Sequence, residues 1–209
     1  MVTTCITLAI TVVFGTPVAY LMARYDFPLR RAVDTILDLP LVLPPAVTGV
    51  ALLMAFGRRG ILGSYLEIMG VSIAFTQIAV VMAQTFVAAP FYVKAAILGF
   101  SSIEPELEQA AALDGASGRQ IFRFITIPLS WMALLSGMVM TWARALGEFG
   151  ATIIFAGNFP GRTQTMPLAI YIGFELDLDV ALTLAVILIG FSFLVLMIVK
   201  GILRSDLQT

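Results

Sequence analysis

Five long apolar runs divide this chain, and they leave little choice of fold. They cover approximately Val2–Ala23, Thr35–Phe56, Val71–Phe100, Ile127–Phe155 and Val180–Val199. Each is long enough, as a helix, to cross a hydrocarbon layer of about 30 Å. Inside that layer every backbone N–H and C=O needs an internal partner, so runs of this kind become helices. Hydrophobic residues make up 60% of the 209 and charged residues 12%, a balance that a soluble domain of this size does not need. The expected fold is an all-α integral membrane protein with about five transmembrane helices, forming a single membrane domain over residues 1–209. Met166–Phe174 is apolar but too short to span, and reads as a re-entrant or interfacial piece. The first run lacks the basic n-region and cleavage site of a signal peptide.

Several function classes drop out at once. Net charge is −1, which offers nothing to nucleic acid. Cys5 is the only cysteine, so no intramolecular disulfide is possible. With no histidine, histidine metal ligands and histidine proton relays are absent. Neither a catalytic triad nor a metal cluster is visible, and no metal or cofactor is expected. The phosphate-binding G-x-x-x-x-G-K-[ST] pattern is also missing, so any ATP chemistry belongs to another chain, and this one is not expected to be an enzyme.

Between the third and fourth runs lies a polar island, about residues 101–125. It reads Ser101-Ser102-Ile103-Glu104-Pro105-Glu106-Leu107-Glu108-Gln109-Ala110-Ala111-Ala112-Leu113-Asp114-Gly115 and continues to Ile125-Thr126-Ile127-Pro128. Three acids within Glu104–Glu108 exclude it from hydrocarbon. Its chemistry is that of a short helix. Pro105 suits the first turn, Glu106 and Glu108 complement the dipole, Ala110–Ala112 propagate, and Gly115 stops it. A small-faced helix outside the bilayer fits a partner's groove; an ordinary solvated loop is the plainer alternative.

The pattern Gln109-Ala110-Ala111, then Gly115, then Ile125-x-Ile127-Pro128, resembles the EAA loop of bacterial ABC-importer permeases. Gln109 stands where that family has Glu, and Ile127 where it has Leu; Glu108 is adjacent. The resemblance implies a type I importer-like fold and a coupling loop at residues 101–125. Glu108, Gln109, Ala110, Ala111, Gly115, Ile125 and Pro128 would couple it to an ATPase subunit. Members of the family usually carry a short leader before the first helix, so a trimmed or late start is expected.

Lysine and arginine placement sets an orientation. Arg24, Arg30, Arg31, Lys94, Arg119, Arg123, Lys200 and Arg204 fall on one side, and Arg58, Arg59 and Arg162 on the other. The richer side is cytoplasmic, which puts the island and the C-terminus inside and the N-terminus outside.

The second run contains Leu39-Pro40-Leu41-Val42-Leu43-Pro44-Pro45-Ala46-Val47-Thr48-Gly49. Its prolines must break or kink a helix, and the freed carbonyls need water or protein. Pro44, Pro45 and Thr48 therefore line either a pathway or a packed interface. Arg144 and Glu148, four apart, share one helical face toward the outer part of the fourth run. Intramembrane charges usually face a bundle interior or an aqueous path. A mutually neutralising structural pair is the favoured reading; anion binding by Arg144 is the other.

Beyond them, Gly147-Glu148-Phe149-Gly150-Ala151-Thr152 and the stretch from Ala156 to Tyr171 are rich in turn formers. Asn158, Thr163 and Thr165 could meet an oxyanion or a periplasmic partner, though turn formation explains each of them more simply. This string resembles the molybdate type of oxyanion permease, with the sulfate type a near relative. The resemblance implies a homodimer enclosing the pathway, ABC ATPase subunits, a periplasmic oxyanion-binding protein, and residence in a bacterial or archaeal inner membrane. The implied function is ATP-driven import of molybdate, or tungstate, by alternating access. A sulfate or thiosulfate permease is the near alternative, and an ion-gradient-coupled transporter or passive channel the distant one.

Overall fold

The computed structural model describes the backbone of residues 1–206 and the side chains of residues 1–201. Residues 207–209 and the side chain of Arg204 lie outside the described residues. Every regular element among the described residues is helical. In order the helices are α1 (Val2–Arg24), α2 (Arg30–Val42), α3 (Pro45–Phe56), α4 (Gly63–Ile68), α5 (Gln77–Ser101), α6 (Pro105–Leu113) and α7 (Gly118–Ile121). A π-helical turn, Phe122–Thr126, joins α7 to α8 (Ile127–Leu146). Then come α9 (Gly150–Phe155), α10 (Met166–Leu176) and α11 (Leu178–Asp206).

Among the described residues, four continuous helices are long and apolar enough to cross a membrane: Val2–Arg24, Gln77–Ser101, Gly118–Leu146 and Leu178–Gly201. The second expected span, Thr35–Phe56, is instead two helices. Leu43 is extended and Pro44 ends the ladder, so α2 stops at Val42 and α3 restarts at Pro45. The fourth expected span ends earlier than its hydropathy suggests. Gly147–Phe149 break the helix after Leu146, and Gly150–Phe155 form a separate short helix. At its other end that span begins earlier. Pro128 sits within a continuous helical path, and the missing N–H is absorbed by the π-helical turn just before it. The short apolar piece at Met166 is α10, eleven residues long.

The bundle centres on α5. It runs parallel to α1, pairing Thr7 with Gln84, Thr16 with Tyr92, and Arg24 with Ile103. It runs antiparallel to α8, pairing Gln84 with Ala145 and Ala88 with Thr141. Lipid tails are as apolar as leucine, so these helices cannot associate by hydrophobicity alone; close backbone approach and polar bonds do the work. Side chains in the seams are correspondingly small. A Cβ on Gly99 would lie 2.6 Å from the Ala133 Cβ, and one on Gly137 would lie 2.9 Å from the Ala95 Cβ. The buried face of α1 reads Thr4, Thr7, Thr11, Gly15, Ala19, Met22, a three-to-four spacing of mostly small residues. Gln84 is buried and ties three helices together. Its amide donates to Ala145 O at 3.1 Å, and its oxygen accepts from Thr7 Oγ1 at 3.3 Å.

At the end of the bundle near Phe100, Tyr20, Phe100 and Phe122 meet edge to face or tilted, with centroids 5.0–6.2 Å apart. At the opposite end, Leu52, Val80, Val87 and Phe155 form the core under the α3–α9 contact. The start of α11 packs on α10, with Ala181 buried against Gly173, and Phe191 lies 5.8 Å from Trp142 of α8, while most of the rest of α11 is exposed in this chain.

Candidate coupling helix and charged pairs

The island folds as the sequence demands. Pro105 opens α6, Glu106 and Glu108 lie in its first turn, and Gly115 closes it. The closure is a full Schellman motif: Ala116 N–H donates to Ala111 O at 3.0 Å, and Gly115 N–H to Ala112 O at 3.1 Å. Gly115 has φ +90°, and a Cβ there would touch nothing within 4 Å. The requirement for glycine is thus one of backbone handedness rather than space. Ser117 and Gln120 then form a capping box that starts the next helix.

Gln109 and Ala110 are exposed, and Ala111 is half-buried. Leu113, on the side of α6 away from Glu108, is 89% exposed. Glu108 turns the other way. Its Oε1 accepts from Arg24 Nη2 at 2.8 Å and from Thr126 Oγ1 at 2.7 Å. Glu108 is therefore engaged within the chain. Ile125 is half-buried in the π-helical turn, and Pro128 is exposed in the first turn of α8.

The second group of expected site residues divides in two. Pro44 and Pro45 are exposed, whereas Thr48 is buried. Pro45 and Ala46 lie against Gly150, where a Cβ would be only 2.9 Å from the Pro45 Cβ. Gly49 stands equally close to Ala151. The proline break in the second run and the Gly-Glu-Phe-Gly string thus form one contact, with glycines on both sides allowing α3 and α9 to touch. Thr48 and Thr152 are buried there with unpartnered hydroxyls.

Glu148 sits directly before α9 and is 1% exposed. Its Oε1 accepts from Ala151 N–H at 2.8 Å, satisfying one of the free amides of the first turn of α9. Its Oε2 lies 2.9 Å from Arg144 Nη1 without a well-directed hydrogen bond. Arg144 remains 30% exposed. Asn158, Thr163 and Thr165 lie apart, in the loop leading to α10. Thr163 is buried and its hydroxyl accepts from Phe159 N–H at 3.1 Å, a turn-forming bond. Asn158 Oδ1 and Thr165 Oγ1 are buried without partners. Thr163 and Thr165 also border a shallow cavity of about 310 Å³ with Gln77, Arg162 and Gln164. No expected residue cluster here has the donor set of a metal centre among the described residues.

The family model for the inner membrane component of binding-protein-dependent transport systems matches residues 15–205. This chain belongs to that family. The permease is 44% identical to the molybdenum transport system permease protein ModB of Mycobacterium tuberculosis over 186 residues, covering 89% of this chain and 70% of that one. It is 38% identical to the probable transport system permease protein NifC of Clostridium pasteurianum, covering 98% and 72%. The sulfate transport system permease protein CysW of Synechococcus elongatus is 34% identical, covering 96% and 70%. Among solved structures, a chain of the MetNI methionine ABC transporter in an inward-facing conformation superposes with a TM-score of 0.71 at 21% identity, covering 98% and 91%. That likeness shows that the two chains share a fold.

Sequence reasoning about the permease missed two charged groupings. Arg24 with Glu108 and Thr126 joins residues more than eighty positions apart. Lys94 is held by Asp34 at 2.6 Å and Asp38 at 2.8 Å. The four-residue spacing of Asp34 and Asp38 was visible and marks one face of α2; nothing in the sequence pointed to Lys94 as what that face meets. Leu113 also escaped notice, being one more apolar letter beside three alanines.

Proposed function

We propose that this chain is the membrane-spanning subunit of an ATP-driven importer for molybdate. Two copies would enclose the pathway, two ATPase subunits would dock on α6 from the cytoplasm, and a periplasmic binding protein would deliver the anion. The observation that carries this reading is the 44% identity to a molybdenum permease over 89% of the chain. It exceeds the 34% to a sulfate permease. The exposed α6, with Gln109, Ala110 and Leu113 on its outward side, supports the docking role. Closure of the ATPases would draw the two α6 helices together and open the pathway outward; hydrolysis would reset it. The α3–α9 contact, with Pro44, Pro45, Thr48 and Glu148, would border that pathway. Asn158, Thr163 and Thr165 would shape the periplasmic mouth.

The test is reconstitution. The chain, an ABC ATPase subunit and an oxyanion-binding protein from the same organism are placed in proteoliposomes, and uptake of radiolabelled molybdate is followed. Uptake should require ATP and be competed by tungstate but not by tenfold excess sulfate. Efficient competition by sulfate would favour the sulfate-permease reading. ATP-independent uptake by the chain alone would defeat the importer reading altogether.

A further inference from the structure

The Glu108 carboxylate occupies an unusual position. It belongs to α6, the helix that stands outside the bilayer, yet its side chain is only 16% exposed. One oxygen accepts two bonds at once, from Arg24 at 2.8 Å and from Thr126 at 2.7 Å. Arg24 is the last residue of α1, and Thr126 ends the π-helical turn that leads into α8. Arg24 Nη1 also reaches Ile103 O, at the entry to the island, at 3.4 Å. Both α1 and α8 pack along α5. A single carboxylate thus joins the outer helix to two bundle helices. Apart from it, α6 is tied to the bundle mainly through its two flanking loops. A charge-assisted bond pair at low exposure resists displacement far better than flexible loops do.

We propose that Glu108 is a positioning residue that carries movement of α6 into α1 and α8, and that it makes no contact with the ATPase. This deepens the docking reading of α6 and rests on it. The π-helical turn is where such a push would be taken up, because its wider ladder is already relaxed around Pro128. Recognition of the ATPase then falls to the opposite side of α6, where Gln109, Ala110 and Leu113 are exposed.

The experiment uses the full permease with its ATPase and binding protein in proteoliposomes. It compares wild type, Glu108→Gln, Arg24→Gln and the exchanged pair Arg24→Glu/Glu108→Arg. The readouts are the ATPase-to-permease ratio on co-purification and anion taken up per ATP hydrolysed. Both single variants should hold the ATPase at the wild-type ratio and lose about tenfold in uptake per ATP. The exchanged pair should recover most of that loss, since Thr126 can accept from Arg as readily as donate to Glu. Unchanged uptake per ATP in both singles overturns the proposal. So does loss of the ATPase on changing Glu108 while Arg24→Gln behaves normally, because that pattern marks a direct contact. Should Glu108→Gln fail to accumulate, Thr126→Val removes one bond alone and should lower uptake per ATP about threefold; no change there is equally fatal. A wild-type chain that never retains the ATPase refutes the docking reading itself, independently of Glu108.

Discussion

Neutralising Arg144 and Glu148 separately and together gives the sharpest check on the junction between α8 and α9. Glu148 is 1% exposed and Arg144 30%, so the two ends of the pair differ in their access to water. In Arg144→Gln the carboxylate stays buried with only Ala151 N–H to satisfy it. Breaking a buried pair from one side costs about 3–5 kcal/mol, and the low end applies because one hydrogen bond survives. In Glu148→Gln the orphan is Arg144, which water can reach, so the cost falls to about 2 kcal/mol. The glutamine carbonyl can still accept from Ala151 N–H. The double variant leaves no unpaired charge and keeps that bond, so it should lose only about 1 kcal/mol. The singles sum to about 5 kcal/mol against 1 for the double, a coupling too large for independent sites. At about 2–4 °C per kcal/mol for a chain of this length, Arg144→Gln should lower the melting temperature by roughly 10 °C. The double should melt within a few degrees of wild type, and differential scanning fluorimetry in detergent reads all three. Normal melting in every variant, with uptake lost wherever Arg144 is changed, would refute the structural reading and assign Arg144 to the anion.

Other perturbations probe the helix seams, the turn and the topology. Gly99→Val places a branched side chain where even a Cβ would be 2.6 Å from Ala133; α5 and α8 must separate, costing about 1–3 kcal/mol, and unchanged melting would show that the seam is looser than its geometry. Gly115→Val should insert normally but lose uptake, because φ +90° strains a β-branched residue by about 1–2 kcal/mol. Gly115→Asn, which tolerates that conformation, should retain more uptake, and equal loss in both would point to a steric cause absent from the structure. In a Cys5→Ala background, cysteines at Ser102 or Ser117 should react with an impermeant thiol reagent only after permeabilisation, and those at Ser64 or Gln164 in intact cells. Labelling at 117 in intact cells would reverse the orientation and remove α6 from the ATPase.

Much of this protein was determined by the order of its residues alone. Apolar runs become helices in a bilayer because the backbone has no other way to satisfy its polar groups. That reasoning needs no partner segment, so α1, α5 and α11 follow from composition and length. Local chemistry likewise settles α6, where Pro105, the alanines and Gly115 act on their own neighbourhood. The break at Pro44 is local too, because the missing N–H and the pyrrolidine ring act within one turn. Hydropathy could not foresee that the expected second span would resume as α3, or that the fourth would end at Leu146, since both segments remain apolar through their breaks. Tertiary structure decided what each polar side chain meets. Glu108, expected to couple to an ATPase, is instead half-buried and held by Arg24 and Thr126. Lys94 counted only toward orientation and proves to bridge α5 to α2. Gly49 and Gly150, a hundred residues apart, are needed at the same crossing. Such pairings depend on which faces of separate helices are brought together, and sequence periodicity marks a face without naming its neighbour.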